Sequence, residues 1–412
     1  MKLTLVAPSK AIVFLMSTVM LDILALSLIV PVMPLLLQQI TGLSPQPAAR
    51  LGGELFALFA LMQLFAAPIL GTLSDHFGRR PILLISLCAY ALDWFVMGWA
   101  QTLFLLFLGR AISGVVGATG STVNAAIADT YSAEKRAKYL GMVSSVMGIA
   151  MMCGAALGGW LAMFGSRVPF YFAAGFAFVN FVYGLVSFRE TLPRAQRRPL
   201  EWARIHPLRT IALLRAHPQL AKLLLAFFLW QLAFMVFPST WAYYCAARLG
   251  WDPRMIGLSF SFTGLCAALV QVCYLGKMIA RWGERLTVLI GCIVAILALF
   301  AYGTLTQVWM IFVVLGVGAS CYVAGPTLNA LLCRCMPPDE QGYLQGIIAS
   351  STSLAIIIGQ LMMTQVFAST SKWIPGLTFY LSALLVLGTL LCTFSTSSPE
   401  ATPYERGLVC ES

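Results

Sequence analysis

Twelve stretches of this chain run for about twenty residues with scarcely a charge, the length at which a helix crosses a ~30 Å hydrocarbon core. They cover 12–37, 51–73, 82–100, 103–128, 139–163, 169–188, 220–246, 255–279, 286–304, 308–333, 342–368 and 374–394. In lipid the backbone must satisfy its own hydrogen bonds, so a chain crosses either as helices or as a closed barrel. Barrel strands alternate apolar and polar residues, and these stretches do not. The expected fold is therefore an all-α membrane protein. Composition agrees: 10% of residues are charged, where soluble domains carry about 25%. Too few charges remain to cover a soluble surface. That excludes a soluble enzyme, a disordered protein and a nucleic-acid binder, despite the net charge of +11. The first stretch is too long for a signal peptide and no small-residue cleavage site follows it, so it is read as a retained helix.

The basic residues set an orientation, because lysine and arginine favour cytoplasmic loops. With a cytoplasmic N-terminus, the inner loops and termini hold 20 of the 26 lysines and arginines. The outer loops hold five, and Arg110 lies inside a span. Both termini are expected to be cytoplasmic. The longest hydrophilic segment, 189–222, divides the chain six plus six. The expected organisation is a bundle over 1–188, a linker over 189–219, and a second bundle with a short tail over 220–412.

The halves repeat. The loop after the second span reads Gly71-Thr-Leu-Ser-Asp75-His-Phe-Gly78-Arg79-Arg80-Pro81. The loop after the eighth reads Gly276-Lys-Met-Ile-Ala-Arg-Trp-Gly283-Glu-Arg285, displaced by 205 residues, with both glycines and the last arginine in register. Two copies of a six-helix unit point to bundles rocking about a central site, which is transport by alternating access.

These residues resemble the major facilitator superfamily. The 71–81 segment is similar to that superfamily's helix 2–3 signature. The string Leu108-Gly-Arg110-x-x-x-Gly114-x-x-Gly117-Ala-Thr-Gly120 is similar to the helix 4 signature of its proton-coupled antiporters. Ile127-Ala-Asp129-Thr, Phe188-Arg-Glu-Thr191, Arg281-Trp-Gly-Glu284 and Leu344-Gln-Gly346 narrow the likeness to the tetracycline-efflux branch. The resemblance implies two six-helix bundles and proton-coupled drug export across a bacterial inner membrane. There are departures. Ala155 and Gln360 stand where that family usually has proline. Ala267 and Ala295 stand where its tetracycline pumps commonly carry a histidine and a carboxylate.

Ionisable residues inside a span are costly and by default mark function. Three stand out, all in the first half: Asp22 in span 1, Asp93 in span 3 and Arg110 in span 4. One reading is an internal salt bridge between Asp93 and Arg110. The other is a proton and substrate site, in which desolvation and a nearby arginine act oppositely on a carboxyl, so that a change in pairing moves a proton. A carboxylate also suits a cationic or metal-chelated drug. Gln63, Asn124, Gln231, Gln271 and Asn329 either line the cavity or bond between helices. Trp230, Trp241, Tyr243 and Tyr244 form either an interfacial belt or a stacking wall.

The 71–81 loop reads as a gate latch. Gly71 and Gly78 permit close approach and tight turning, Asp75 can cap a facing helix N-terminus, and Arg79 and Arg80 can pair with Asp129. The plainer reading of both arginines is topological. Eleven cysteines, mostly in apolar runs, read as packing residues. Three scattered histidines make no metal site. No P-loop is present, so an ion gradient is the expected energy source. No catalytic residue, cofactor or metal is expected. The expected partners are a small-molecule substrate, protons and lipid, with no nucleic acid and no obligate protein partner. Transport of a metabolite or siderophore is a competing cargo. A channel would need a pore filter and a receptor a large soluble domain.

Overall fold

The computed structural model describes residues 8–131, 133–194, 197, 218–336 and 341–395. Most of the basic linker, His206, His217 and the tail with Cys410 lie outside the described residues. Every regular element among the described residues is helical. The first half holds α1 Pro8–Ile29, α2 Met33–Thr41, α3 Pro45–Phe77, α4 Arg79–Trp99, α5 Leu103–Val116, α6 Gly120–Thr130, α7 Ala133–Leu161 and α8 Val168–Ser187. The second holds α9 Pro218–Phe234, α10 Pro253–Val270, α11 Gly276–Thr304, α12 Val308–Gly318, α13 Ala324–Arg334, α14 Gln341–Thr370 and α15 Leu377–Phe394. Wider π turns carry α9 on to Leu249 and join α10 to α11.

Eleven helical stretches are long and apolar enough to cross a membrane, where the sequence suggests twelve. The difference lies in Pro253–Thr304, one stretch of 52 residues. At 1.5 Å per residue it would run roughly 78 Å, more than twice a hydrocarbon core. Gly283, at φ 76 and ψ 169, interrupts it, so spans 8 and 9 are two crossings joined at a glycine. Large apolar side chains are left open on the outside, among them Phe104, Val186 and Val272, as lipid-facing residues should be. Among the described cysteines none is in a disulfide, and no cluster of metal-binding side chains occurs among the described residues.

The repeat extends to backbone geometry. Gly78, the counterpart of Gly283, also has positive φ, 107°, and separates α3 from α4. Span 4 breaks at 117–119 between α5 and α6, and span 10 breaks into a 3-10 turn at Ala319–Val323. Span 1 breaks at 30–32 and span 7 at Met235. Each pair stands about 205 residues apart. At the first break Pro34 stands in the first turn of α2, where its missing N–H has no intrahelical partner to lose.

By contact the chain forms two compact units. The first comprises Met1–Arg204, Phe237–Leu265 and Ile357–Pro375. Its core joins Phe14, Leu15 and Val19 of α1 to Leu83, Leu84 and Leu87 of α4 and to Val123 and Ile127 of α6. The first helix is thus part of the packed interior. Small residues let backbones meet: the α carbons of Gly154 and Gly158 lie against Ser27 and the Leu28 carbonyl, and Gly257 lies against the Ala155 carbonyl. Ser261 donates to the Met152 carbonyl at 2.6 Å. The second unit comprises Ile205–Val236, Cys266–Ile356 and Gly376–Ser412. There Gly303 receives the Tyr380 ring and Gly376, and Thr389 donates to the Ala226 carbonyl at 3.2 Å.

Candidate coupling and gating sites

Asp93 on α4 and Arg110 on α5 are both buried, with Arg110 only 1% exposed. They do not form the salt bridge that is one of the two readings of their sequence. No carboxylate oxygen lies within 4.0 Å of the guanidinium among the described residues. Instead the guanidinium carbon stands 5.0 Å from the Trp94 ring centre and 5.6 Å from that of Phe59. Nη2 reaches the Met97 sulfur at 3.2 Å. A planar, weakly hydrated cation suits such aromatic faces. Nε and Nη1 of Arg110 and Oδ1 of Asp93 have no hydrogen-bond partner. Oδ2 of Asp93 accepts from the Ser113 hydroxyl. Gly109 permits this crowding, since a methyl there would strike Met97 and crowd Asp93.

Asp22 on α1 accepts from the Thr119 hydroxyl. Thr119 sits in the break between α5 and α6. Both intramembrane acids are therefore held by hydroxyls of the span that carries Arg110. Gln63 meets the same break, donating to the Gly117 carbonyl at 3.3 Å. Ser113 and Thr119 escape a sequence reading because a hydroxyl in a helix usually bonds to its own preceding turn. The usable signal is spacing: Ser113 follows Arg110 by three residues, hence on the same face.

Other cavity candidates divide. Asn124 and Gln271 are exposed, and Gln231 and Asn329 half-buried. Asn329 accepts a weak bond from Cys333 at 3.5 Å. Trp241 is buried and donates to Ser259 at 2.9 Å. Trp230, Tyr243 and Tyr244 are buried too, so these rings are interior packing and not a belt at the lipid surface. Gly52 and Gly53 of α3 seat second-half side chains: Tyr243 lies on Gly52, and Thr364 with the Gln360 carbonyl lies on Gly53.

At the other end of α3 the 71–81 loop forms a brace. Arg79 is buried and binds Asp129 at 3.0 Å, Asp75 at 2.5 Å and Ser74 at 2.6 Å. Asp75 thus pairs with Arg79, four residues on across the Gly78 turn, and does not cap a facing helix. That task falls to Glu190, which the sequence reading leaves unassigned. Its carboxylate accepts from the Arg79 amide at 2.8 Å and the Arg80 amide at 3.3 Å. It also accepts from the amides of Thr191 and Leu192 at 3.1 and 3.0 Å. An anion at a helix N-terminus is favourable by about 0.3–1 kcal/mol. Gly78 makes room, since a methyl there would strike the Glu190 carboxylate. Arg80 donates to the Leu185 carbonyl at 2.9 Å and does not join Asp129. A methyl at Gly71 would meet nothing nearer than the Ser121 hydroxyl at 3.9 Å, so close approach is not its role here. In the second half Glu284 and Arg334 pair at 2.9 Å.

A family model described as Major Facilitator Superfamily matches residues 15–359 and 231–407. The chain belongs to the Major Facilitator Superfamily. Among its relatives, the class G tetracycline resistance protein of Vibrio anguillarum is 36% identical, over 92% of this chain and 97% of that one. The class C tetracycline resistance protein of Escherichia coli is 34% identical, over 92% and 96%. A solved bacterial homolog of the human lysosomal transporter Spinster shares the fold, with a TM-score of 0.76 at 15% identity, over 95% and 99%. The protein is thus an integral membrane transporter and not an enzyme. Against this superfamily background the departures gain a setting. Ala267, Ala295 and Ala155 are buried, and Gln360 is buried with Oε1 unpartnered. None of these four can titrate.

Proposed function

We propose that the protein is a proton-coupled exporter of amphipathic drugs, tetracycline-like compounds foremost, working by alternating access. The observation that carries this reading is the one-sided placement of charge. Asp22, Asp93 and Arg110 lie in the first half, and their counterparts 205 residues on are Phe227, Ala298 and Leu315. Away from the span ends, acidic and basic side chains within the membrane spans occur in the first half alone. The names of its relatives supply the drug class.

In this scheme Asp22 and Asp93 are the coupling acids. Each has a hydroxyl and no cation as partner. An unpaired buried charge is expensive, so each acid holds a proton until a cationic cargo or an approaching Arg110 replaces it. Inward return of the proton then supplies about 2.3 kcal/mol per charge per 100 mV. The brace around Gly71, Asp75, Gly78, Arg79, Arg80 and Asp129 serves the inner gate, and the exposed Asn124 and Gln271 face the cargo. The six-helix bundles over 1–188 and 220–412 move about the linker over 189–219. The protein resides in a bacterial inner membrane, with both termini in the cytoplasm.

The test is a drug-susceptibility panel in an expressing bacterial strain, with Asp22→Asn beside the wild type. Wild type should raise resistance to one or more amphipathic drugs, and Asp22→Asn should abolish the gain. Equal resistance from both, or none from either across the panel, contradicts the proposal.

A further inference from the structure

The two ion pairs at the loop copies occupy the same register with opposite sign. Arg79 and Asp129 pair in the first half, Glu284 and Arg334 in the second, and each residue stands 205 positions from its counterpart. Both pairs tie the residue after a positive-φ glycine to the inner end of a broken span. Only the polarity differs.

Polarity matters because of the helices on which the charges sit. A helix presents partial positive charge at its N-terminus and partial negative charge at its C-terminus. Arg79 opens α4 and Asp129 lies in the last turn of α6. Each first-half charge is therefore at the wrong end of its own helix. The pair is held by additional partners: Asp75 and Ser74 on Arg79, and Glu190 on the α4 amides. Glu190 belongs to the chain leaving α8. Glu284, by contrast, opens the helix that resumes after Gly283, and Arg334 closes α13. Both second-half charges are at the favoured ends. The Glu284 side chain is 11% exposed and that of Arg334 60%, so solvent screens the arginine end of this pair and the favoured helix ends are what hold it.

We infer that Glu284 and Arg334 are positioning residues, a brace that stays made through the whole transport cycle, while the oppositely poled Arg79–Asp129 pair is the one that opens. This rests on the export reading for one of its two readouts only. The duplicated carrier would then have one fixed and one switching anchor, although the two loops look alike in sequence.

Two measurements test it. In the first, the pairs Glu284→Cys with Arg334→Cys and Arg79→Cys with Asp129→Cys are made in a chain carrying Cys333→Ser and Cys335→Ser. A reversible thiol-to-thiol linker then joins each pair. Unlinked, both should lose export, by about threefold or more. Linking 284 to 334 should restore export to within about twofold of the parent, whereas linking 79 to 129 should leave it at least about tenfold down until reduction. Failure of the 284–334 link to restore export, or equal tolerance of both links, overturns the proposal. The second readout needs no cargo. Amide hydrogen exchange of the wild-type protein in lipid nanodiscs is compared at pH 6 and pH 8. With the faster intrinsic exchange at pH 8 divided out, amides around 284–287 and 331–334 should keep the same protection factors at the two pH values, while those around 79–82 and 127–130 change. A pH response at the second-half sites as large as at the first overturns the brace. Should wild type export nothing, the export reading fails, and the exchange result still decides this one.

Discussion

At the residue scale, Asp22 and Asp93 differ from Glu54, Asp75, Asp129, Glu190, Asp252 and Glu284 in having a hydroxyl as their only hydrogen-bond partner. Replacing Ser113 with Ala would leave Asp93 with no partner on either oxygen. Coupled export by Ser113→Ala should fall about tenfold, equivalent to ~1.4 kcal/mol, with substrate binding kept, as read by transport and binding assays on vesicles. Unchanged transport would show that the hydroxyl is incidental. Tyr243 gives a prediction of opposite sign. Its hydroxyl is buried on Gly52 without a partner. An unsatisfied buried group costs about 1–3 kcal/mol, so Tyr243→Phe should raise the thermal unfolding midpoint in detergent. A lower midpoint would mean the hydroxyl is satisfied. These contacts were only partly legible in sequence. Charge inside a span is visible at once, which found Asp22, Asp93 and Arg110. Their partners were not, because a hydroxyl or a tryptophan face carries no such mark. Of the two sequence readings of Asp93 and Arg110, the salt bridge is not formed, because Trp94 and Phe59 take the guanidinium.

At the scale of elements, the two turn glycines make a comparison. Both have positive φ, yet a methyl at Gly78 would meet the Glu190 carboxylate while one at Gly283 would meet open space. Gly283→Ala should therefore lose only the backbone term, roughly 1–3 kcal/mol. Gly78→Ala should lose more and also release Glu190 from the start of α4. Thermal unfolding of the two variants side by side checks the order, and equal losses would deny Glu190 its seat. Glu190→Ala should cost about 0.5–2 kcal/mol, the usual value of a helix N-cap. Spans were readable from the sequence because length and hydropathy decide them. Their breaks were not, because hydropathy does not report φ and ψ: the interruptions at 117–119 and Ala319–Val323 lie inside continuous apolar runs. Asp75 pairs with the Arg79 side chain across the Gly78 turn, and Glu190 already occupies the amides at the start of α4.

For the whole molecule, the repeat was legible in one loop and proved to run through turn, brace and helix breaks alike. What duplication did not preserve is charge within the membrane, and the account turns on that asymmetry. A fusion of a reporter at residue 205 should read cytoplasmic, and a periplasmic readout would reverse the orientation. The most direct test of the central claim is proton release from purified transporter on adding a drug found in the resistance panel, paired with uphill export in proteoliposomes. Wild type should release protons and pump. The Asp22→Asn, Asp93→Asn double variant should do neither, while downhill exchange of the drug persists. A double variant that releases protons and pumps uphill at the wild-type rate would contradict the account, because the proton would then travel on other groups.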